Sequence, residues 1–292
     1  MLTAQSPPRD ITIRSFDGVP LCGWHWTRPA PRGVVVIAHG FGEHGGCYRH
    51  VADAIGPAAE VDVVAPDLRG HGCSPGRRGV VSAYEDLVAD ILCAIAWARR
   101  ARPGLPLVVL GHSNGGQLAL RAALQQPDEI SGLILSNPAL VLATPVPAYK
   151  LAIGRLLRRT APWVTLDASL PADRMTRDPA MQREHRTDPL RHSRMSAPLF
   201  FGMVEGGTLV HEHAAEVRTP VLMLVGSADP VADPEGTRAV FDRLGSPDKT
   251  FLIYPKMLHE PLNELGREQV FADIVSWLDP RLENAGSENA AS

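Results

Sequence analysis

The chain reads as an α/β protein: a mostly parallel eight-stranded sheet with helices on both faces and one inserted helical cap. Three observations predict this. Short runs rich in Val, Ile and Leu recur along the 292 residues, the pattern of strands covered on both faces. Segments with apolar residues three and four apart fall between several of them. Nearly eighty residues, between SNPAL (136–140) and TPVLMLVG (219–226), then break the alternation, far beyond an ordinary connection of about 2 to 6 residues.

Taken in order, ITIRSFDG and LCGWHW flank Asp17-Gly18, a hairpin signal, and predict an antiparallel edge. GVVVIAHG, VDVVAPD, LPLVVLGH, GLILSNP, PVLMLVGSAD and TFLIYP supply six further strands. Tyr84 to Arg100 places Leu87, Ile91, Ala94 and Ile95 on one helical face, and Pro103-Gly104 stops it. Asn114 to Leu124 forms the helix after the fifth strand, and Phe271 to Leu278 belongs to a last one. The α/β core is expected at 1–140 and 216–292, with the cap (lid) at 141–215. Within the cap, PAYKLAIGRLLRR interleaves Leu151, Leu156 and Leu157 with basic residues. It is expected to pack its apolar face on the core, the alternatives being a helix facing the site or a lipid surface.

Composition narrows the partners. With 45% hydrophobic residues, 21% charged residues and a net charge of -3, nothing global points to nucleic acid. MLTAQSPPRD lacks a basic n-region followed by an apolar run, and no segment reaches the roughly 18 apolar residues of a membrane helix. A cytoplasmic protein is expected, with transient peripheral membrane contact through the cap. From Val141 to Phe200, ten basic residues oppose five acidic ones, a local net of +5. Such a field could steer anionic surfaces or carboxylate-bearing esters, and equally could be a solvated face. Cys22, Cys47, Cys73 and Cys93 lack metal or redox spacing and read as free thiols. The tail ENAGSENAAS is expected to fray.

The chemistry centres on VVLGHSNGGQLAL (108–120). A strand running through Gly111-His112-Ser113-Asn114-Gly115 into a helix puts Ser113 on a sharp turn. The flanking glycines remove the side chains that would clash there. The Asn114 N–H then opens a helix N-terminus and points at developing negative charge. A serine hydroxyl needs a base and an orienting acid, in the order Ser, acid, His for this architecture. Asp229 ends the strand VLMLVGSAD and His259 follows TFLIY, so both fall at the sheet's C-terminal edge. Asp233 is the rival acid, with Asp229 preferred because it follows the strand directly. The glycine-rich AHGFGEHGG (38–46) lets the backbone turn inward, so that the Phe41 N–H joins that of Asn114 as an oxyanion hole.

HGFGEHGGCY, DLRGHGCSPGRRG, GHSNGG, the acid in GSADPV and the histidine in YPKMLHEPLNE occur in an order that resembles the monoacylglycerol lipase and lysophospholipase-like branch of the α/β-hydrolases. The resemblance covers about residues 10 to 280, and TRDPAMQREHRTDPL (176–190) is similar to the segment leading out of that branch's cap. It implies the α/β-hydrolase fold, with Ser113 as nucleophile, Asp229 as orienting acid, His259 as general base and the Phe41 and Asn114 amides as oxyanion hole. It implies neither a metal nor an organic cofactor. Two departures bear on substrate choice: Asn114 stands where that branch usually has an apolar residue, and Phe41 is bulkier than its usual counterpart.

Other polar clusters read as structural. Glu43, His44 and His112 are expected to form a hydrogen-bonded network beneath the oxyanion loop, and Asp67 to His71 a fold-forming turn. His211-Glu-His213 has no third ligand at a recognisable spacing. The expected function is therefore serine carboxylic-ester hydrolysis of monoacylglycerols or related lipid esters through an acyl-enzyme. Short-chain esters, anionic half-esters and lysophospholipids are the rival substrates. A non-catalytic hydrolase-like receptor is the contrasting class, and serine at the turn argues against dehalogenase or epoxide hydrolase chemistry.

Overall fold

The computed structural model describes residues 9–288. In chain order these form β1 (Arg9–Arg14), β2 (Pro20–Trp26), β3 (Gly33–Ala38), α1 (Arg49–Ala59), β4 (Val61–Pro66), α2 (Glu85–Ala101), β5 (Leu107–His112), α3 (Asn114–Gln125) and β6 (Gly132–Ser136). An insertion follows, with α4 (Ala148–Thr160), β7 (Thr165–Asp167), α5 (Ala172–Met175), α6 (Pro179–Thr187), β8 (Arg194–Ser196) and α7 (Ala197–Glu212). The chain then returns through β9 (Val221–Gly226), α8 (Pro234–Arg243), β10 (Lys249–Tyr254) and α9 (Arg267–Glu288).

Among the described residues the main sheet has eight strands in the order β1-β2-β4-β3-β5-β6-β9-β10. The hairpin of β1 and β2 is antiparallel, turns where Gly18 takes a φ of 87°, and joins β4 antiparallel. Every pair from β4 to β10 is parallel. Alternate residues of β3 show why the strands read as unbroken apolar runs: Val34, Val36 and Ala38 enter the core shared with α2, α3 and α8. Val35 and Ile37 face the opposite core, with α1 and α9. Both faces are dry, so both parities must be apolar.

The hairpin, the parallel strands and the helices after β4 and β5 match the sequence expectations. Two core helices, α1 and α8, carry no such expectation. For α8 a start signal exists: Asp233 accepts hydrogen bonds from the Glu235 and Gly236 N–H groups, and Pro234 opens the helix. At the other end, α9 continues through Glu288, so the tail expected to fray is helical over its first six residues. Residues 289–292, like most of MLTAQSPPRD, lie outside the described residues.

The insertion holds a short β7–β8 ribbon besides its helices. Its last helix, α7, packs on α3 and contributes Leu199 and Val210 to the main core. The expectation that α4 packs its apolar face on the core is corrected. Of the three leucines, Leu151 and Leu157 are half-buried on the side of α7 while Leu156 is exposed with Tyr149 and Ile153, and no α4 residue is fully buried. The same i, i+3, i+4 spacing serves a core face and a surface face alike, so periodicity alone could not separate them. All four cysteines are free. Among the described residues no helix is long and apolar enough to cross a membrane.

Candidate active site

β5 runs directly into α3, and Ser113, between them, takes φ 51° and ψ -118°. A non-glycine residue there is strained. The turn is locked by the Ser113 N–H donating to Ser136 O at 3.0 Å, while Ser113 O accepts from Gly116 and Ala139. A Cβ on Gly115 would lie 2.0 Å from Ala38 O, and one on Gly111 2.5 Å from Gly115 O. The two glycines therefore allow the chain to double back beside β3.

From the ends of β9 and β10 two loops converge on that serine. His259 Nε2 is 2.9 Å from Ser113 Oγ. His259 Nδ1 is 2.8 Å from Asp229 Oδ2. The histidine and aspartate are 3% and 6% exposed, so the pair acts in a low-dielectric setting. Asp229 Oδ1 accepts from the Val231 and Ala232 N–H groups at 2.7 and 3.1 Å. Asp233, the rival acid, is taken up as the cap of α8.

Asn137, just past β6, is an orienting residue that motif reading passed over. Its Nδ2 donates to Asp229 Oδ2 and, at 3.3 Å, to Leu258 O, while its Oδ1 accepts from Gly226 N–H at 2.9 Å. It adopts φ 42°, a conformation asparagine tolerates better than most residues. Its place at a strand's C-terminal end in SNPAL was the available signal.

Electrostatics follow from this packing. Burial opposes the charge on Asp229, but the His259 charge and hydrogen bond, with the Val231 and Asn137 donors, hold it below the usual carboxylate range. Burial likewise opposes protonation of His259, and Asp229 outweighs it, raising the imidazole above its ordinary value. The His112 ring lies 5.0 Å from that of His259, tilted by 54°, and burial lowers it from its ordinary value.

The segment expected to carry the oxyanion hole is built around Glu43. Its Oε2 accepts from Gly40 N–H at 2.8 Å and Tyr48 O–H at 2.6 Å. Its Oε1 accepts from Arg191 Nη2 at 2.9 Å. Gly45 N–H and Cys73 N–H both donate to Asp67, tying this loop to the DLRGHG turn. Gly42 turns with φ 73°, and a Cβ there would lie 2.1 Å from His192 O. The expected polar network beneath the loop is present for Glu43, whereas His44 reaches the insertion through Asp188 at 2.7 Å. Among the described residues the Phe41 and Asn114 N–H groups take no part in the loop and turn hydrogen bonds.

A cavity of about 350 Å³ opens over Ser113. Gly40 to Glu43, His112 and His259 floor it, and Leu170, Met175, His185, Arg186 and His192 of the insertion roof it. Phe41 lines it and meets His192 edge-on, ring centroids 5.7 Å apart. Burial pushes His192 down to about 4. The Asn114 side chain is elsewhere: it is buried against Tyr84, whose hydroxyl is 2.5 Å from Asn114 Oδ1 and 2.7 Å from Gln117 Oε1.

Among the described residues two clusters have the donor types of a metal site: His44, Cys47 and Asp188, and Glu43, His112 and Glu260. Arg191 already lies between them, bonded to Glu43, 3.4 Å from Glu260 Oε1 and 3.7 Å from Cys47 Sγ. That guanidinium already engages the Glu43 and Glu260 carboxylates.

Comparison with known proteins gives this geometry a context. The family model described as serine aminopeptidase, S33, matches residues 29–266. A monoacylglycerol lipase of Mycolicibacterium smegmatis is 35% identical over 255 residues, covering 87% of this chain and 90% of its own. The monoglyceride lipase of Homo sapiens is 32% identical over 98% of this chain and 96% of its own. The crystal structure of Paleococcus ferrophilus monoacylglycerol lipase superposes with a TM-score of 0.82 at 33% identity, covering 89% of this chain and 99% of that one.

Proposed function

The chain belongs to the serine aminopeptidase, S33, family of hydrolases and has the α/β-hydrolase fold, and from that premise we propose that it is a serine ester hydrolase acting on monoacylglycerols or related lipid esters. The observation that carries this reading is the unbroken hydrogen-bond chain from Ser113 through His259 to Asp229, opening into the cavity. Ser113 is the nucleophile, His259 the general base and Asp229 the acid that fixes its tautomer.

His259 Nε2 takes the hydroxyl proton as Ser113 Oγ attacks the ester carbonyl carbon. The carbonyl oxygen becomes an oxyanion facing the Phe41 and Asn114 N–H groups. Collapse expels the alcohol, which receives the proton from His259 and leaves an acyl-serine. Water, deprotonated by His259, then attacks that acyl group, and as the acyl–Oγ bond breaks His259 returns the proton to Ser113 Oγ, releasing the carboxylic acid and restoring the serine. Each oxyanion donor contributes about 3 to 4 kcal/mol to such a transition state.

Residues 141–215 serve as the cap. Its residues that roof the cavity are mostly polar, which suits the alcohol end of a monoacylglycerol. On the outer surface of the cap, α4 exposes Tyr149, Ile153 and Leu156 beside Lys150, Arg155 and Arg159. An apolar face flanked by cations is suited to lie at an anionic lipid interface, and delivery of lipid esters from such a surface follows. Turnover of monoacylglycerols beside p-nitrophenyl esters of rising chain length tests the substrate class. Release of glycerol with a medium- or long-chain optimum is expected; a sharp acetate or butyrate optimum without glyceride turnover would overturn it.

A further inference from the structure

We propose that Arg191, carried by the insertion, is a positioning residue for the oxyanion loop: its guanidinium holds the Glu43 carboxylate, and Glu43 fixes the His39–Gly40 peptide one residue before the Phe41 amide. The inference rests on the ester-hydrolase reading above. Glu43 is 3% exposed. Its Oε2 is filled by Gly40 N–H and Tyr48 O–H, and its Oε1 by Arg191 at 2.9 Å. Arg191 sits between α6 and β8 and also reaches Glu260, the residue after His259, at 3.4 Å. Both contacts cross from the insertion to loops that carry the chemistry.

Arg191 is the cation hydrogen-bonded to Glu43. His39 from the end of β3, His112 from β5 and His185 from α6 face it as imidazoles whose protonation burial disfavours, and His112 ranks after Arg191 in favouring the Glu43 charge. Burial also keeps the Tyr48 hydroxyl and the Cys47 thiol protonated. Glu260 brings a like charge, and His259 is committed to Asp229. Arg191 is therefore the fixed cation that keeps a buried carboxylate ionised; burial resists the charge, and Arg191 is the largest influence opposing it. Without the guanidinium, Glu43 takes up a proton, loses its charge-assisted bond to Gly40 N–H and releases the loop. The same would follow if the insertion lifted away, so the oxyanion loop is competent only with the insertion seated over the cavity.

The test compares kcat and KM against pH on p-nitrophenyl butyrate for the wild type, Arg191→Lys, Arg191→Met and Arg191→Met combined with Glu43→Gln. Arg191→Met should lose on the order of 100-fold in kcat near about pH 6.5, shrinking to a few-fold by about pH 9 as Glu43 ionises, with KM little changed. Arg191→Lys should keep the wild-type pH profile. In the Glu43→Gln background the Arg191 change should add no pH-dependent loss. A pH-independent loss in Arg191→Met, or the same pH limb in the Glu43→Gln background, overturns the inference. If Arg191→Met does not fold, because Glu260 loses its cation as well as Glu43, Arg191→Lys decides: a wild-type pH profile supports the inference, and a pH-independent loss of kcat overturns it. An inactive wild type that a fluorophosphonate does not label refutes the ester-hydrolase reading instead.

Discussion

The Tyr84 hydroxyl lies 2.5 Å from Asn114 Oδ1, so the residue that follows Ser113 turns its side chain into the contact between α2 and α3 rather than into the cavity. Gln117, which donates to Ala139 O and Met203 O, closes the same buried network. Tyr84→Phe should therefore destabilise the fold by about 1 to 3 kcal/mol, because two buried amides lose the hydroxyl. Urea denaturation measures this, and the ester chain-length profile should stay unchanged. A shifted profile would return Asn114 to the substrate pocket.

Asn137 is the clamp on the acid. Asn137→Ala removes the donor to Asp229 and the acceptor of Gly226 N–H. It should lower kcat by roughly 10- to 100-fold with little change in KM, and destabilise the protein by about 2 kcal/mol. Steady-state kinetics with a thermal melt check both parts, and an unaltered kcat would make Asn137 purely structural.

Strands and elbow were legible in the sequence because their constraints are local. A strand buried on both faces must be apolar throughout, and the doubling-back at Ser113 demands glycine at 111 and 115. Asp229 and His259 were expected near Ser113 because each follows a strand at the same edge of the sheet. Asn114 was not legible, since its partner Tyr84 is 30 residues away and no spacing announces the contact. Arg191 was hidden among ten basic residues of one stretch, because burial, not residue type, separates an ion pair beneath the site from a solvated surface charge. The surface exposure of α4 shares its periodicity with a core helix, so only packing could reveal it.

Gly115→Ala tests the steric argument. With a Cβ 2.0 Å from Ala38 O, the backbone of β3 or α3 must move, and a loss of at least about 3 kcal/mol is expected. Loss of folded protein or of Ser113 reactivity supports the tight elbow; wild-type stability and activity would contradict it.

The acid limb of activity should report His259. Acylation needs the neutral imidazole, so kcat/KM should fall as pH drops through a value above the ordinary 6.5. Asp229→Asn removes the stabilising charge, moving the limb to lower pH and cutting kcat by about 10⁴-fold. In stability the signs oppose each other. His259, raised in the fold, contributes below its unfolded value and loses that contribution as pH rises through its folded one. Asp229, lowered in the fold, contributes above 3.8 and loses it as pH falls further. A pH–rate profile of both proteins checks the limb.

Membrane contact through α4 should be separable from chemistry. Ile153→Glu with Leu156→Glu should abolish co-sedimentation with anionic phospholipid vesicles and leave turnover of a water-soluble ester intact. Unchanged co-sedimentation would place the contact on another face.

The central claim is that Ser113 is the nucleophile, and mass-spectrometric mapping of a fluorophosphonate adduct tests it most directly. One adduct on the peptide containing Ser113 is predicted, absent from Ser113→Ala together with ester turnover and formed far more slowly in His259→Ala. An adduct on another residue, or turnover that survives Ser113→Ala, would contradict the account.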